Sequence, residues 1–172
     1  MSLKEDVDAM QEAMQESEMV DDYTRRHAVL SQSVLTVIDD ETADMIASHV
    51  AARIEGKTVI EIGGGIGLLA FHLGQYAKRV WCIEANPAWM GVFVGCLFAG
   101  KPKNVSYLFG SAEEFAGTIK GDVAIFCTHS GVNDMRRIGK RFAPEVIDVY
   151  GELIAASPEK FDRLATLLRP YA

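Results

Sequence analysis

The chain has 172 residues, 49% of them hydrophobic and 24% charged, a composition that fits one globular domain with a full core and excludes a fibrous or low-complexity chain. The net charge of −7 belongs to the leading segment: residues 1–22 hold eight acids and one base, leaving sixteen of each in the remainder. The domain proper is therefore neutral and offers nucleic acid no general electrostatic attraction.

Two further exclusions follow from apolar patterning and cysteine usage. The longest strongly apolar stretch, residues 88–100, is too short to span a bilayer, and the start lacks the basic-then-apolar pattern of a signal peptide. Cys82, Cys96 and Cys127 are odd in number and never spaced C-x-x-C. They read as thiols of a reducing compartment, with no disulfide frame and no zinc site. These features predict a cytoplasmic protein without a membrane anchor or a metal.

In chain order, Leu3, Val7, Met10 and Met14 recur at helical spacing with acids opposite, which predicts an amphipathic helix that packs on its own domain, on a partner or over the site as a lid. With the polar connection 21–27 it forms an N-terminal helical extension, residues 1–39, ahead of a single domain over 40–172. Asp39 or Asp40 can cap a helix running to about Arg53, with Ala43, Ile46, Ala47, Val50 and Ile54 as its apolar stripe. Residues 58–62 are a continuous apolar run of the length and kind expected of a buried parallel strand. A glycine-rich bend, residues 63–67, leads into a helix over 68–77. Residues 79–84 form a second apolar strand that ends in a carboxylate, Glu84, placed to accept both hydrogen bonds of a ribose diol.

The spacing of the glycines selects among nucleotide ligands. A dinucleotide fingerprint needs glycine at position 68, which is Leu68 here, so an NAD-binding reading is disfavoured. Glycines instead fall at Gly63, Gly65 and Gly67, with Gly64 between them and Glu61 two residues before the first. Glu84 follows at about the distance expected of a ribose-binding acid, roughly twenty residues on. Glu61, Gly63, Gly65, Gly67 and Glu84 together resemble the first motifs of the class I, Rossmann-like S-adenosylmethionine-dependent methyltransferases.

That resemblance implies a doubly wound α/β fold: a mainly parallel sheet of about five strands in the order 3-2-1-4-5, with helices on both faces and N-terminal helices besides. It implies S-adenosyl-L-methionine as cofactor, held by Glu61, Gly63, Gly64, Gly65, Gly67, Glu84 and Ala85, and by Ser111 and Ala112 after the third strand. The family carries an acidic residue where this chain has Ser111, which can accept from the adenine amino group, leave that task to Glu113, or simply cap the next helix. Residues after the fifth strand are too few for the family's C-terminal β-hairpin, so that hairpin is expected to be absent.

Beyond Pro87, residues 88–99 read as a helix that is apolar nearly all round, which needs cover on both sides. Either the N-terminal helix or a second copy supplies it, the latter giving a homodimer through the face that carries Trp89 and Phe98. Residues 105–109 form a third strand, 110–115 start a short helix, and 122–127 form a fourth strand. The turn after that strand carries His129, the candidate general base for an acceptor that must lose a proton. A histidine bonded to a loop carbonyl would look the same. Cys127-Thr128-His129 contains no proline, unlike the motif that amino-group methyltransferases place here, which weighs against nucleic-acid N-methylation.

Arg136, Arg137, Lys140 and Arg141 lie at helical spacing over 134–142, a solvated face or a grip for phosphate or RNA. Residues 145–151 fit a fifth strand, although Val146, Val149, Tyr150 and Leu153 also fit a helix. Ser157 and Pro158 open a final helix. His49 and His72 fall inside helices and read as structural. The chain is expected to transfer a methyl group to a small-molecule or RNA acceptor. Aminopropyl or aminocarboxypropyl transfer from the same cofactor, and a non-catalytic regulatory module that keeps the cofactor pocket, are the alternatives.

Overall fold

The computed structural model describes residues 40–85, 102–127, 132–154 and 159. The leading extension, the apolar helix 88–99 with its dimer face, His129 and the final helix all lie outside the described residues.

The described elements are α1 (Asp40–Ile54), β1 (Thr58–Ile62), α2 (Leu68–Leu73), β2 (Arg79–Glu84), β3 (Val105–Phe109), α3 (Ala112–Phe115), β4 (Val123–Phe126), α4 (Val132–Phe142) and β5 (Glu145–Asp148), followed by a π-helical turn, Val149–Ile154. The strands form one parallel sheet in the order β3-β2-β1-β4-β5. This is the doubly wound fold expected from the sequence.

Parallel strands covered on both faces need apolar side chains at every position, not at alternate ones. β4 shows this fully, with Val123, Ala124, Ile125 and Phe126 all buried. Odd-numbered residues of β1 and β4 and even-numbered residues of β2 face α1 and α2. That half of the core contains Val59, Val80, Cys82, Val123, Ile125 and Ile147, packed under Ile46, Val50, Leu69 and Leu73. The opposite face packs Ile60, Ile62, Ile83 and Phe126 against Ile138 and Phe142 of α4 and Phe115 of α3. Removing a residue such as Leu73 or Val50 from water contributes roughly 1.5–3 kcal/mol, so the predicted apolar stripe of α1 is what fixes that helix to the sheet.

Three boundaries differ from the sequence reading. The helix expected over 68–77 stops at Leu73, where Gly74 takes the C-cap. The Asn104 side chain donates to the carbonyls of both Gly74 and Ala77 at 2.9 Å, satisfying groups that a longer helix would have paired internally. The fourth strand is trimmed to Val123–Phe126. The segment expected as one strand over 145–151 is a strand that turns helical at Val149. Asp148 brings about that change: its Oδ1 accepts from the Gly151 N–H at 2.9 Å, and Arg136 of α4 donates to its Oδ2 at 3.0 Å. Both periodicities noticed in that stretch were therefore real, in succession.

α1 is tied down at both ends. Arg53 donates to Glu145 at 2.8 Å and to Glu152 at 3.0 Å. The His72 ring on α2 sits 2.8 Å from Asp40, a structural role for that histidine. No helix among the described residues is long and apolar enough to cross a membrane.

Candidate functional site

The site forms where β1 runs out. Past Ile62 the chain leaves the sheet, but the N–H groups of Gly63 and Gly64 both reach the Ile83 carbonyl of β2, at 2.9 and 3.1 Å. The bend closes when Gly67 N–H donates to Gly64 O at 2.8 Å, and α2 begins with Phe71 N–H on Gly67 O at 3.0 Å. Gly63, Gly65 and Gly67 take φ values of 74, 55 and 81°, a region that costs an ordinary L-residue roughly 1–2 kcal/mol.

Three of the glycines show what the bend is for. A Cβ built on Gly65 meets nothing within 4 Å, and the same holds at Gly63, so the bend presents bare main chain to open space. Gly64 faces inward instead. A Cβ there would fall 2.2 Å from Cys82 Sγ and 2.9 Å from Glu61 Oε2. Glycine at 64 therefore lets the bend settle directly on the Glu61 carboxyl.

Glu84 lies beneath the bend. It is buried at 9% exposure, and its Oε2 accepts from the Gly65 N–H at 2.8 Å. The Gly65 carbonyl accepts from the Tyr107 hydroxyl at 2.9 Å. Tyr107 is in register with Cys82, and Cys82 with Glu61, so all three side chains stand in one row across the same face. The sequence did not single out Tyr107. A tyrosine at an inward position of a strand reads as core, and only the tertiary structure reveals where its hydroxyl goes.

Glu61 is 3% exposed and its Oε2 has no hydrogen-bond partner. Burial pushes its carboxyl up to about 8; the Cys82 thiol opposes this, the charge of Glu84 adds to it, and the Ala70 N–H opposes it more weakly. Such a group is neutral at pH 7, which is how a carboxyl with one oxygen unbonded survives in a core. Burial likewise raises the thiols. Cys82 lies well above its ordinary value, and Cys127, at the end of β4, is pushed up to about 12. Both are protonated and unsuited to nucleophilic work.

The nucleotide-side candidates divide. Ala85 is exposed immediately after Glu84, and the Gly110 N–H donates to the Glu84 carbonyl at 2.9 Å, so the stretch after β3 starts beside Glu84. Ser111 caps α3, accepting from the Glu113 N–H at 3.3 Å and donating to the Glu113 carboxylate at 2.7 Å. Its hydroxyl is thus committed to its own turn, and the Ser111 hydroxyl holds Glu113 below the usual carboxylate range. Ala112 opens α3 and packs against the core. Of the basic run, Arg136 pairs with Asp148 at 3.0 Å and Arg137 with Asp134 at 3.4 Å; Lys140 and Arg141 are exposed. That is the arrangement of a solvated face.

No family model matches the chain. The fold does match solved structures. One, from Pyrococcus horikoshii and assigned as an RNA methyltransferase, aligns with a TM-score of 0.53 at 21% identity over 72% of this chain and 67% of its own. A precorrin-6y C5,15-methyltransferase from Geobacter metallireducens aligns with a TM-score of 0.53 at 17% identity, over 62% of this chain and 58% of its own. TYW2 of M. jannaschii, solved in complex with AdoMet, gives a TM-score of 0.53 at 18% identity, over 64% of this chain and 52% of its own. The chain thus spans between about half and two thirds of each of these proteins. At this level of identity the likeness establishes architecture: the chain has the Rossmann-like fold of the class I S-adenosylmethionine-dependent methyltransferases.

Proposed function

We propose that the chain binds S-adenosylmethionine on the glycine bend and transfers its methyl group to a small-molecule or RNA acceptor. The observation that carries this reading is the bare main chain at Gly63 and Gly65 with the Glu84 carboxylate drawn up beneath it. The residues fit the cofactor in a second respect, because the buried Glu61 oxygen without a partner lies directly under Gly64 and suits a cationic ligand. When bound, the compound supplies a methyl group made electrophilic by its sulfonium centre.

The chain's own part is binding and alignment, which can account for most of the rate of such a transfer. Glu84 accepts from the ribose hydroxyls. Gly63, Gly64, Gly65 and Gly67 let the ligand approach the backbone, and Glu61 complements its positive charge. Ala85 and Ala112 offer apolar surface to the base. Ser111, bonded to Glu113, shapes the turn there in place of an acid. His129 is the proposed base, for acceptors that must lose a proton.

The solved proteins of this fold are assigned to acceptors as different as RNA and precorrin, so the acceptor class stays broad. Unpaired thiols at Cys82 and Cys127 support a reducing, cytoplasmic setting. A homodimer through the helix carrying Trp89 and Phe98 is part of the same proposal, and a monomer in sedimentation at micromolar concentration would remove it. The central test is calorimetry with S-adenosylmethionine, S-adenosylhomocysteine and NAD in parallel. Heat with the first two and none with NAD is expected; heat with NAD alone overturns the reading. Turnover yielding methylthioadenosine instead of S-adenosylhomocysteine would reassign the reaction to transfer of another group.

A further inference from the structure

Gly65 is held in an unusual way. The backbone bonds of the bend belong to Gly63, Gly64 and Gly67, whereas Gly65 gives its N–H to the Glu84 carboxylate at 2.8 Å and takes the Tyr107 hydroxyl on its carbonyl at 2.9 Å. Two side chains from two strands thus fix Gly65, which has a positive φ of 55° and, like Gly63, open space above it. These two holds are not equivalent. A carboxylate offers about four acceptor sites, so Glu84 can keep the Gly65 N–H while it meets a ribose diol, and its hold on the bend is shared with the ligand. Tyr107 is placed differently: its ring packs against the core, and burial with Glu84's charge nearby keeps its hydroxyl far above the ordinary phenol value.

We propose that Tyr107 is a positioning residue for the glycine bend, one half of a clamp whose other half, Glu84, is shared with the ligand. The inference rests on the cofactor reading above but is tested separately from it. Tyr107 touches no reacting atom and acts through Gly65. Its hydroxyl preserves the shape of the bend while Glu84 also serves the ligand, so the cost of binding is not raised by a loosened main chain.

The test is Tyr107→Phe, which removes the hydroxyl and keeps the ring. In the ligand-free chain, amide exchange at Gly65 should quicken about tenfold while exchange at Cys82 and Ile125, inside the strands, stays unchanged. Affinity for S-adenosylhomocysteine should fall between about threefold and tenfold, the range of one neutral hydrogen bond. Combined with Glu84→Gln, the losses should be non-additive, because both side chains hold the same residue, Gly65, on its two sides. A purely structural tyrosine would lower the melting temperature and leave Gly65 exchange relative to the strands, and ligand affinity, where they were; that result overturns the proposal. A wild-type chain that binds neither cofactor form defeats the cofactor reading instead, and the Gly65 exchange comparison still decides whether Tyr107 holds the bend.

Discussion

Replacing Glu61 with glutamine tests the electrostatics of the site most directly. Glutamine matches the carboxyl in size but cannot ionise. In the folded chain the Glu61 carboxyl is pushed up to about 8, chiefly by burial, from its ordinary 4.5. Its folded pKa is thus raised, so the stability it contributes is fully present below about 4.5 and is lost as pH rises towards 8. Within that window the unfolded chain has released the proton and the folded chain still holds it, so wild-type stability falls by about 1.4 kcal/mol per pH unit relative to Glu61→Gln. From pH 5.5 to 7.5 the relative loss is about 2.7 kcal/mol, or roughly 5–10 °C in melting temperature for a domain of this size. Thermal melts of both proteins at half-unit pH steps measure it. The difference in melting temperature should narrow or reverse steadily across the window and level off above pH 8. A difference that stays flat from pH 5 to 8 would show that Glu61 is ionised in the fold, and the argument from burial would fail.

Other substitutions probe the remaining parts of the site. Glu84→Ala should weaken S-adenosylmethionine binding by about 1.5–3 kcal/mol, the scale of hydrogen bonds to a charged group, as read by calorimetry on a folded variant. Gly64→Ala places a methyl 2.2 Å from Cys82 Sγ, an overpacking that should cost about 1–3 kcal/mol in denaturant unfolding and abolish ligand binding; Cys82→Ala in the same chain should restore part of the stability. Arg136→Met removes the 3.0 Å donor from the buried Asp148 carboxylate, with an expected loss of about 1–3 kcal/mol and no change in cofactor affinity.

Much of this fold is legible in the sequence because its strongest signals are local. A five-residue apolar run, a cluster of glycines and an acid at the end of the next apolar run each have one economical reading, and together they fix β1, β2 and the bend between them. The stripe from Ala43 to Ile54 defines α1 for the same reason, since all five positions are buried. What escapes the sequence is side-chain traffic between distant segments. Asn104 ends α2 by bonding carbonyls 30 and 27 residues away, and Tyr107 reaches Gly65 across 42. Asp148 turns a strand into a π-helical segment with help from Arg136. The Asn104 and Tyr107 contacts exist only once the sheet has formed, so no short window of sequence contains them; the local Asp148–Gly151 bond is completed by Arg136 from a separate helix. Ser111 illustrates the opposite case, in which the local capping interaction with Glu113 was one of the roles that its place in the sequence offered.

The two acids of the site bear on what it can bind. Glu61 and Glu84 stand on neighbouring strands of the same face, and the negative charge of Glu84 is one of the causes that keep the Glu61 proton in place. The ligand-free site therefore carries a second negative charge in latent form, available when something positive arrives. S-Adenosylmethionine carries a sulfonium and an ammonium against one carboxylate, so its binding favours ionised Glu61, and a proton should leave as it enters. S-Adenosylhomocysteine, without the sulfonium, gives the proton less reason to leave. Calorimetry at pH 7 in two buffers of different ionisation enthalpy reads this directly: close to one proton released with the sulfonium compound, fewer with its demethylated product, and none with either in Glu61→Gln. Equal proton release for both ligands in the wild type would place the sulfonium away from Glu61 and leave product release unaided by this carboxyl.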